Sequence, residues 1–321
     1  MNVSIDTQIA ELTNYLTGLN WLNDERILSI NSAGDGNMNV VLRVITDQRS
    51  FILKQSRPYV QKYPDIPAPA DRIDVEAQFY AALNKSSVSD HLPNVINYNP
   101  QEFLLMMDDL GDIEDMTSIY GSRVIDETHL SQLVKIALQC HQSHVSNDFP
   151  DNMELRKLNH QHIFLLPFDS DNGFSLDDVQ DGLQEIAQPY QENTKLKSVV
   201  SEMGERYLSQ GSVLIHGDYY PGSWMQSDKE LYVLDPEFAH IGQAEFDLGV
   251  MSAHLIMATY DIGYFSKVRQ SYESSISDVH MSRYAGIEIM RRLIGLAQLP
   301  LTRALQEKKE LMEIALQLMR L

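Results

Sequence analysis

Acidic side chains cluster in one short part of the sequence. Asp218 stands alone in a loop that ends at Ser223, and Asp235 and Glu237 follow a later apolar run at spacing i, i+2. Carboxylate and hydroxyl oxygens are the hard ligands that Mg²⁺ prefers, and a separate carboxylate can remove a proton from an alcohol. The pattern therefore indicates metal-assisted chemistry at a hydroxyl group.

The spacing of these acids is that of a kinase catalytic centre. His216, Asp218 and Ser223 have the spacing of His-x-Asp-x-x-x-x-Asn, in which the Asp accepts the hydroxyl proton and the Asn binds a metal ion. Ser223 stands in place of this Asn, and its oxygen would bind Mg²⁺ more weakly. Asp235 follows Asp218 by seventeen positions, where kinases place the metal-binding Asp of Asp-Phe-Gly. We predict Asp218 as the catalytic base, His216 as a loop brace, and as magnesium ligands Asp235, Glu237 and Ser223. The alternative, loop acids scattered through an acidic protein, does not explain this order.

A glycine-rich segment precedes the first predicted pair of strands. Glycines at this spacing allow backbone amides to approach phosphate groups closely. Asn39 replaces the third glycine of Gly-x-Gly-x-x-Gly, and asparagine tolerates positive φ better than most residues. Taken alone, an ordinary turn before a strand explains the segment equally well. As a phosphate-binding loop, its candidate residues are Gly34, Asp35, Gly36, Asn37 and Asn39.

A lysine and a glutamate follow this loop in the order found in protein kinases. Lys54 ends an apolar strand, and Glu76 lies in the predicted helix after a proline-rich loop. In kinases a strand lysine paired with a helix glutamate positions the α- and β-phosphates of ATP. Each residue alone has the alternative of a solvated surface charge. A later apolar strand breaks into a linker whose backbone would face an adenine ring, with the candidate contacts Met107, Asp108 and Leu110.

The periodicity of apolar residues predicts the elements that position these side chains. Before residue 110 it predicts strands at 39–44, 50–54 and 103–107, helices at 5–20 and 72–84, and a loop at 57–70. After residue 127 it predicts mainly helices, at 128–145, 174–189, 193–210, 243–260, 262–275, 278–298 and 302–320. The exception is a hairpin that pairs 213–215 with 231–234. This order predicts an α+β chain with an N-terminal nucleotide-binding lobe at 1–110 and a helical C-terminal lobe, carrying the catalytic and metal-binding loops, at 111–321.

The composition limits the partners and the compartment. The chain of 321 residues has a formal net charge of −20, a field that repels nucleic acid and anionic membranes. Cys140 is the single cysteine, which excludes internal disulfides and favours a reducing compartment. No signal peptide and no membrane-spanning stretch is visible in the sequence. We expect a cytoplasmic protein that acts on a small-molecule substrate, and a homodimer is left open.

Together these motifs resemble methylthioribose kinases. In the first third of the chain the resemblance rests on the glycine-rich segment, Leu53-Lys54-Gln55, Pro58-Tyr59-Val60 and Asp71-Arg72-Ile73 with Glu76. In the rest of the chain it rests on His216-Gly217-Asp218, Asp235-Pro236-Glu237-Phe238-Ala239, Phe246-Asp247-Leu248-Gly249 and Met290-Arg291-Arg292-Leu293-Ile294-Gly295. The wider relatives are aminoglycoside and choline kinases, which share the protein-kinase-like two-lobed fold.

The resemblance implies an ATP-dependent kinase that uses Mg²⁺. It implies that Lys54 binds the ATP phosphates, that Asp218 is the base, and that Asp235 and Glu237 bind Mg²⁺. It adds Arg291 and Arg292 as catalytic residues close to the transferring phosphate or the sugar. Adjacent arginines on a helix usually face solvent. Protein kinases, however, often carry a lysine two positions after the catalytic Asp, and this chain has Tyr220 there. The two arginines would supply the missing positive charge.

The acceptor implied by the resemblance is the 1-hydroxyl of 5-methylthioribose, a compound of methionine salvage. The chain departs from the family where Tyr219-Tyr220-Pro221 replaces Leu-His-Thr, and where the loop after Pro58 lacks Gly-Glu-Ser-Trp. Both regions lie near the expected substrate, so two alternatives stay open. One is a kinase of an aminoglycoside, choline or another amino alcohol, which the acidic composition favours. The other is a catalytically idle nucleotide-binding module.

Overall fold

The computed structural model describes residues 1–34, 38–146, 148–227, 230–296, 298–299 and 301–321. Asp35, Gly36 and Asn37 of the predicted phosphate-binding loop lie outside the described residues. Gly34, which precedes them, has a φ of 120°, a conformation that favours glycine.

The N-terminal elements form a sheet with one helix before it and one helix inserted into it. In chain order they are α1 (Ile9–Gly18), β1 (Ile27–Ser32), β2 (Val40–Thr46), β3 (Ser50–Gln55), β4 (Tyr59–Val60), β5 (Tyr63–Pro67), α2 (Arg72–Leu83), β6 (Val95–Asn99) and β7 (Leu104–Asp108). In the described part of the chain, five strands form an antiparallel sheet in the order β1-β2-β3-β7-β6. Lys54 of β3 pairs with Val41 of β2 and Leu105 of β7. Because β3 has neighbours on both sides, Lys54 cannot reach solvent at a sheet edge.

The predicted strands at 39–44, 50–54 and 103–107 and the helix at 72–84 are confirmed to within two residues. The strands β1 and β6 were not predicted, because both lie at sheet edges and carry mostly half-buried or exposed residues. The glycine-rich segment therefore joins β1 to β2 and does not precede the first strand pair. The predicted loop at 57–70 contains the small hairpin of β4 and β5.

The C-terminal part is mainly helical, with short strands that carry the loop acids. Its elements are β8 (Glu114–Asp115), α3 (Ile119–Ser122), α4 (Glu127–Gln142), α5 (Met153–His160), α6 (Leu183–Gln191), α7 (Thr194–Leu208), β9 (Val213–Ile215), β10 (Trp224–Gln226), β11 (Leu231–Val233), β12 (His240–Gly242), α8 (Ala244–Thr259), α9 (Gly263–Ser271), α10 (Asp278–Ile294) and α11 (Leu305–Met319). The predicted helix at 174–189 is wrong in its first half, because Gly182 has a φ of 84° and α6 begins only after it. No helix in the described ranges is both long and apolar enough to cross a membrane.

The predicted hairpin between 213–215 and 231–234 is wrong in its pairing. Val213–Ile215 pairs with His240–Gly242, and Leu231–Val233 pairs with Trp224–Gln226. The second pairing closes a shorter loop, in which the amide of Ser227 donates to the carbonyl of Glu230, and a shorter loop loses less chain entropy. The pairing leaves the ends of β9 and β11 free to present the two acidic loops next to each other.

Two apolar cores hold these elements in place. The smaller joins α1 to one face of the sheet through Leu12, Leu16, Leu42 and Phe51. The larger contains the buried helices α8 and α10 and also takes in α2 and the end of β7. Because α2 packs in this larger core, a glutamate on α2 lies close to the acidic loops. The division of the chain at residue 110 stays an interpretation.

Candidate active site

Lys54 is the point at which the two parts of the chain meet. Its Nζ lies 2.6 Å from Oε2 of Glu76 on α2 and 2.5 Å from Oδ1 of Asp235 at the end of β11. The lysine side chain is 3% exposed, whereas that of Asp235 is 56% exposed. The structure thus brings together a strand, a helix and a loop residue that are far apart in sequence, with the carboxylate of Asp235 open to solvent.

The charges of this cluster do not balance, because two cations, Lys54 and Arg72, face the three acids Glu76, Asp235 and Glu237. Burial disfavours the charged amine, but the carboxylates of Asp235, Glu76 and Glu237 outweigh it and raise the pKa of Lys54. Burial raises the pKa of Glu76 to about 7, although Lys54 opposes this. Partial burial opposes ionisation of Asp235, but Lys54 outweighs this effect and holds the pKa of Asp235 below its ordinary value. The excess negative charge favours a further cation in the cleft.

The backbone at Asp235 directs its carboxylate towards Lys54. Asp235 has a φ of 63°, in the left-handed region that short polar residues tolerate best. Its amide donates to the hydroxyl of Tyr80 on α2 at 3.2 Å, and Pro236 begins a short 3₁₀ turn directly after it. Tyr80 was predicted only as part of the apolar face of a helix, and a tyrosine in such a pattern gives no signal of its partner.

Glu237 lies behind the cleft, where a buried arginine holds it. Its Oε2 accepts a hydrogen bond from the side-chain amide of Asn39 at 2.9 Å and lies 3.2 Å from Nε of Arg72. Arg72 is fully buried and also donates to the carbonyls of Met38 and Pro69, each at 2.6 Å. Arg72 thereby connects the end of the glycine-rich loop to Glu237, whose role as a magnesium ligand stays a prediction. The role of Asn39 in phosphate binding stays a prediction, because its side chain is engaged here.

The loop that carries Asp218 is held by three interactions. The carboxylate of Asp247 on α8 accepts hydrogen bonds from the amides of His216 at 2.7 Å and Gly217 at 2.9 Å. The Nε2 of His216 lies 2.9 Å from the carbonyl of Leu234, which agrees with its prediction as a loop brace. Gly217 has a φ of 83°, and a Cβ there would lie 2.3 Å from the carbonyl oxygen of Phe238. Only glycine therefore fits between the two acidic loops.

Asp218 lies at the open side of this loop, next to an arginine. Its Oδ1 is 3.5 Å from Nη2 of Arg292. Desolvation raises the pKa of Asp218, although Arg292 and Arg291 oppose it, and a raised pKa makes the carboxylate a stronger base. The hydroxyl of Ser223 donates to the carbonyl of Asp218 at 2.9 Å, and this hydrogen bond closes the loop. Metal binding by the oxygen of Ser223 stays a prediction.

The two predicted arginines are buried and share one carboxylate. Glu288, one turn earlier on α10, lies 2.9 Å from Nη1 of Arg291 and 2.6 Å from Nε of Arg292. The guanidinium of Arg292 also lies over the ring of Tyr220, 5.0 Å from its centroid. The sequence analysis did not identify Glu288. Its i, i+3 and i, i+4 spacing to the two arginines was the signal that could have indicated the ion pairs. Arg292 reaches Asp218, and Glu288 fixes Arg291 beside it.

We expect Glu288→Gln to lower the free energy of unfolding by about 3–5 kcal/mol, because it removes the partner of two buried guanidinium groups. Urea denaturation measures this loss. The matched control is Glu202→Gln. Glu202 pairs at 2.7 Å with Arg283, which lies on α10 like Arg291 and Arg292, but the side chain of Glu202 is 56% exposed. An exposed pair contributes about 0–1 kcal/mol. Losses of equal size in the two variants would contradict the structural role of Glu288.

A buried histidine behind Glu288 predicts a pH dependence of stability. The Nε2 of His254 lies 3.1 Å from Oε1 of Glu288, and burial lowers the pKa of His254 to about 4. An unfolded histidine has a pKa of about 6.5, so below that pH the unfolded chain binds a proton that the folded chain does not. Stability should therefore be lost as the pH falls from about 6.5 towards 4, by up to about 3 kcal/mol. Urea denaturation at stepped pH should show a shallower loss for His254→Gln, and an unchanged slope would refute this assignment.

The predicted adenine-facing linker follows β7. Met107 and Asp108 are the last residues of this strand, and Leu110 follows it. Gly111 has a φ of 79°, and Arg43 of β2 donates to its carbonyl at 2.6 Å. Arg43 therefore fixes the turn that ends the linker. Adenine binding by Met107, Asp108 and Leu110 stays a prediction.

The donor set fits the implied Mg²⁺. Among the described residues, no three histidine, cysteine or acidic side chains are arranged to bind a metal without other ligands. Mg²⁺ usually takes one or two carboxylates and completes its shell with waters and substrate phosphates. The half-exposed Asp235, in a cluster with excess negative charge, suits such a shared site. Mg²⁺ binding at Asp235 stays a prediction.

Comparison with known proteins finds methylthioribose kinases among the relatives of this chain. A methylthioribose kinase of Geobacillus sp. (strain WCH70) is 25% identical over an alignment that covers 88% of this chain and 82% of that enzyme. The chain spans only 57 to 60% of the length of several other methylthioribose kinases.

Solved structures support the fold. Spectinomycin phosphotransferase in complex with ADP and spectinomycin has a TM-score of 0.59 at 14% identity, covering 98% of this chain and 100% of that one. A choline/ethanolamine kinase family protein from Mesorhizobium loti has a TM-score of 0.54 at 14% identity, covering 91% of this chain and 88% of that one. The predicted α+β, protein-kinase-like fold is confirmed. Residues 29–287 match the phosphotransferase enzyme family, and this chain belongs to that family.

Proposed function

We propose that this chain is an ATP-dependent kinase that transfers the γ-phosphate to a hydroxyl group of a small sugar, with 5-methylthioribose as the first candidate acceptor. The observation that carries the proposal is the contact of Lys54 with both Glu76 and Asp235, which joins the predicted phosphate-binding strand to the predicted metal loop. The methylthioribose kinases among the relatives support this acceptor, and the ADP complex of spectinomycin phosphotransferase supports the nucleotide.

In the proposed reaction, Asp218 accepts the proton of the acceptor hydroxyl. The hydroxyl oxygen forms a bond to the γ-phosphorus while the bond to the β,γ-bridging oxygen breaks and ADP leaves. Lys54 holds the α- and β-phosphates, and Glu76 orients its ammonium. Arg292, 3.5 Å from Asp218, places positive charge next to the reacting oxygens. Mg²⁺, when bound at Asp235, would neutralise charge on the phosphates.

The acceptor site favours a neutral or anionic molecule over a cation. Glu288 balances only one of the two buried arginines near the base, and Asp218 loses its negative charge when it accepts the proton, so a cationic acceptor would be repelled where water is excluded. A free amine beside them would have to be balanced by an additional carboxylate. The amino-alcohol alternative is nevertheless a specific competitor, because choline/ethanolamine kinase family and spectinomycin phosphotransferase structures share the fold.

An acceptor panel tests the proposal. ADP formation is measured with Mg²⁺ and ATP in the presence of methylthioribose, ribose, choline or kanamycin. We expect the highest kcat/KM for methylthioribose, followed by ribose. Choline or kanamycin in first place would replace the proposed acceptor by the amino-alcohol alternative. If no acceptor raised ADP formation above the rate in buffer, the idle nucleotide-binding module would remain.

A further inference from the structure

A cavity of about 230 Å³ lies beside the arginine pair, between the end of α10 and the start of α11. The described residues that line it include Gln180, Arg292, Leu299, Leu301, Arg303 and Lys308. Three of these are cations, although the chain as a whole has a formal net charge of −20. Arg292 also contacts Asp218, so the cavity adjoins the predicted base.

Lys308 is the least balanced of these cations. The residue is 4% exposed, so most of its side chain is removed from water. In the parts of the chain that the structure describes, its ammonium has no ion pair and no hydrogen bond. Burial lowers the pKa of Lys308, and no neighbouring acid opposes this effect. Buried lysines are normally paired, since an isolated charge away from water is unfavourable.

Arg303 has no acidic partner in this cavity either. Its guanidinium donates to the carbonyl of Tyr120 at 2.8 Å, and its Nε has no hydrogen-bond partner among the described residues. Glu307 on α11 interacts electrostatically with Arg303, but its carboxylate is bonded to Arg123 at 3.0 Å and to the amide of Ala304 at 2.9 Å. Lys308 therefore lines the cavity without an ion pair, and Arg303 lines it with its guanidinium held by the carbonyls of Tyr120 and Ala258 and by no directly bonded carboxylate.

We propose that this cavity binds a small anionic group, a carboxylate or a phosphate, with Lys308 and Arg303 as its main ligands. An anion would offset the desolvation of both cations and would accept charge-assisted hydrogen bonds from them. Ligand pockets for larger molecules have volumes of about 300–1,000 Å³, so the cavity suits one anionic group or a small sugar derivative and not a nucleotide. The group is either part of the acceptor or a free ion. The inference goes beyond the proposed reaction, because binding requires neither ATP nor turnover.

Thermal unfolding of the wild type, Lys308→Met and Lys309→Met tests the site. Lys309 is the adjacent, exposed lysine and serves as the matched control. The probes are sodium phosphate, ribonate and ribose 5-phosphate, each compared with sodium chloride at equal ionic strength. In chloride, we expect Lys308→Met to melt at a higher temperature than the wild type, because an apolar chain of similar length replaces an unpaired buried ammonium. We expect anions to raise the melting temperature of the wild type and of Lys309→Met, with an affinity that Lys308→Met weakens about 10-fold or more.

The probes separate the sources of the anion. A response to phosphate alone supports a free ion, and a response only to ribonate or ribose 5-phosphate supports an anionic group on the acceptor. Anions that bind at the ATP site would shift all three proteins equally. If the wild type and Lys308→Met responded equally to every anion, the site would be refuted, even if the acceptor panel succeeded. Should Lys308→Met fail to fold, Lys308→Gln provides the same comparison.

Discussion

Asp218→Asn is expected to reduce kcat by about 10²–10⁴-fold, because an amide cannot accept the proton of the acceptor hydroxyl. The change is nearly isosteric, and the loop is held by Asp247, His216 and Gly217 without help from the Asp218 carboxylate. The fold should therefore persist. The measurement is the initial rate of ADP formation with the best acceptor of the panel at saturating ATP.

The control for this loss is Asp171→Asn, which removes one exposed carboxylate far from the acidic loops in sequence. Its kcat should remain within about twofold of the wild-type value, as most exposed substitutions change little. Near-full turnover in Asp218→Asn would remove this residue from the role of the base. The family assignment would stand, but the catalytic loop would need another proton acceptor.

Asp235→Asn is expected to lower kcat/KM for ATP by more than about 10²-fold, since it removes charge stabilisation of the phosphates. The substitution acts twice. It weakens the ligand that would hold Mg²⁺, and it leaves the ammonium of Lys54 with only one close carboxylate, that of Glu76. The rate should be measured over a series of Mg²⁺ concentrations, where the variant should need much more Mg²⁺ than the wild type.

A second experiment tests the metal requirement in the wild type, from which a chelator removes divalent cations. Removal of divalent cations should stop ADP formation, and added Mg²⁺ should restore it, because the described residues form no metal cage that would retain the ion. An Asp235→Asn protein with the same Mg²⁺ dependence as the wild type would show that the metal is held elsewhere.

The parts of the site that lie within one loop could be predicted from the sequence. The spacing from His216 to Ser223 is set by a few residues, and the turn at Gly217 leaves little freedom in how they are arranged. Lys54 and Glu76 were also predictable, because Lys54 lies near the end of a strand and Glu76 lies within a helix, and the apolar residues of both elements follow a clear period. In both cases the information lies in neighbouring residues of the chain.

The partners across long sequence distances could not be predicted. The sequence around Arg72 on α2 does not show its partner, yet this residue is fully buried against Glu237 and backbone carbonyls. The arginines of α10 suggest a solvated face, and only the packing of α8 and α11 against α10 shows that Glu288 has to neutralise them. The pairing of β9 with β12 was missed for the same reason, since short apolar strands do not specify their partners.

The most direct test of the shared cleft is calorimetric titration of ATP into the wild type, Asp235→Asn and Asp218→Asn, with and without Mg²⁺. The cluster of Lys54, Glu76 and Asp235 predicts that the wild type and Asp218→Asn bind ATP with similar, Mg²⁺-dependent affinity. It predicts that Asp235→Asn binds at least about 10-fold more weakly, as expected for the loss of a charged ligand. A wild type that binds no ATP, or equal affinities in all three proteins, would contradict the assignment of these residues to one nucleotide site.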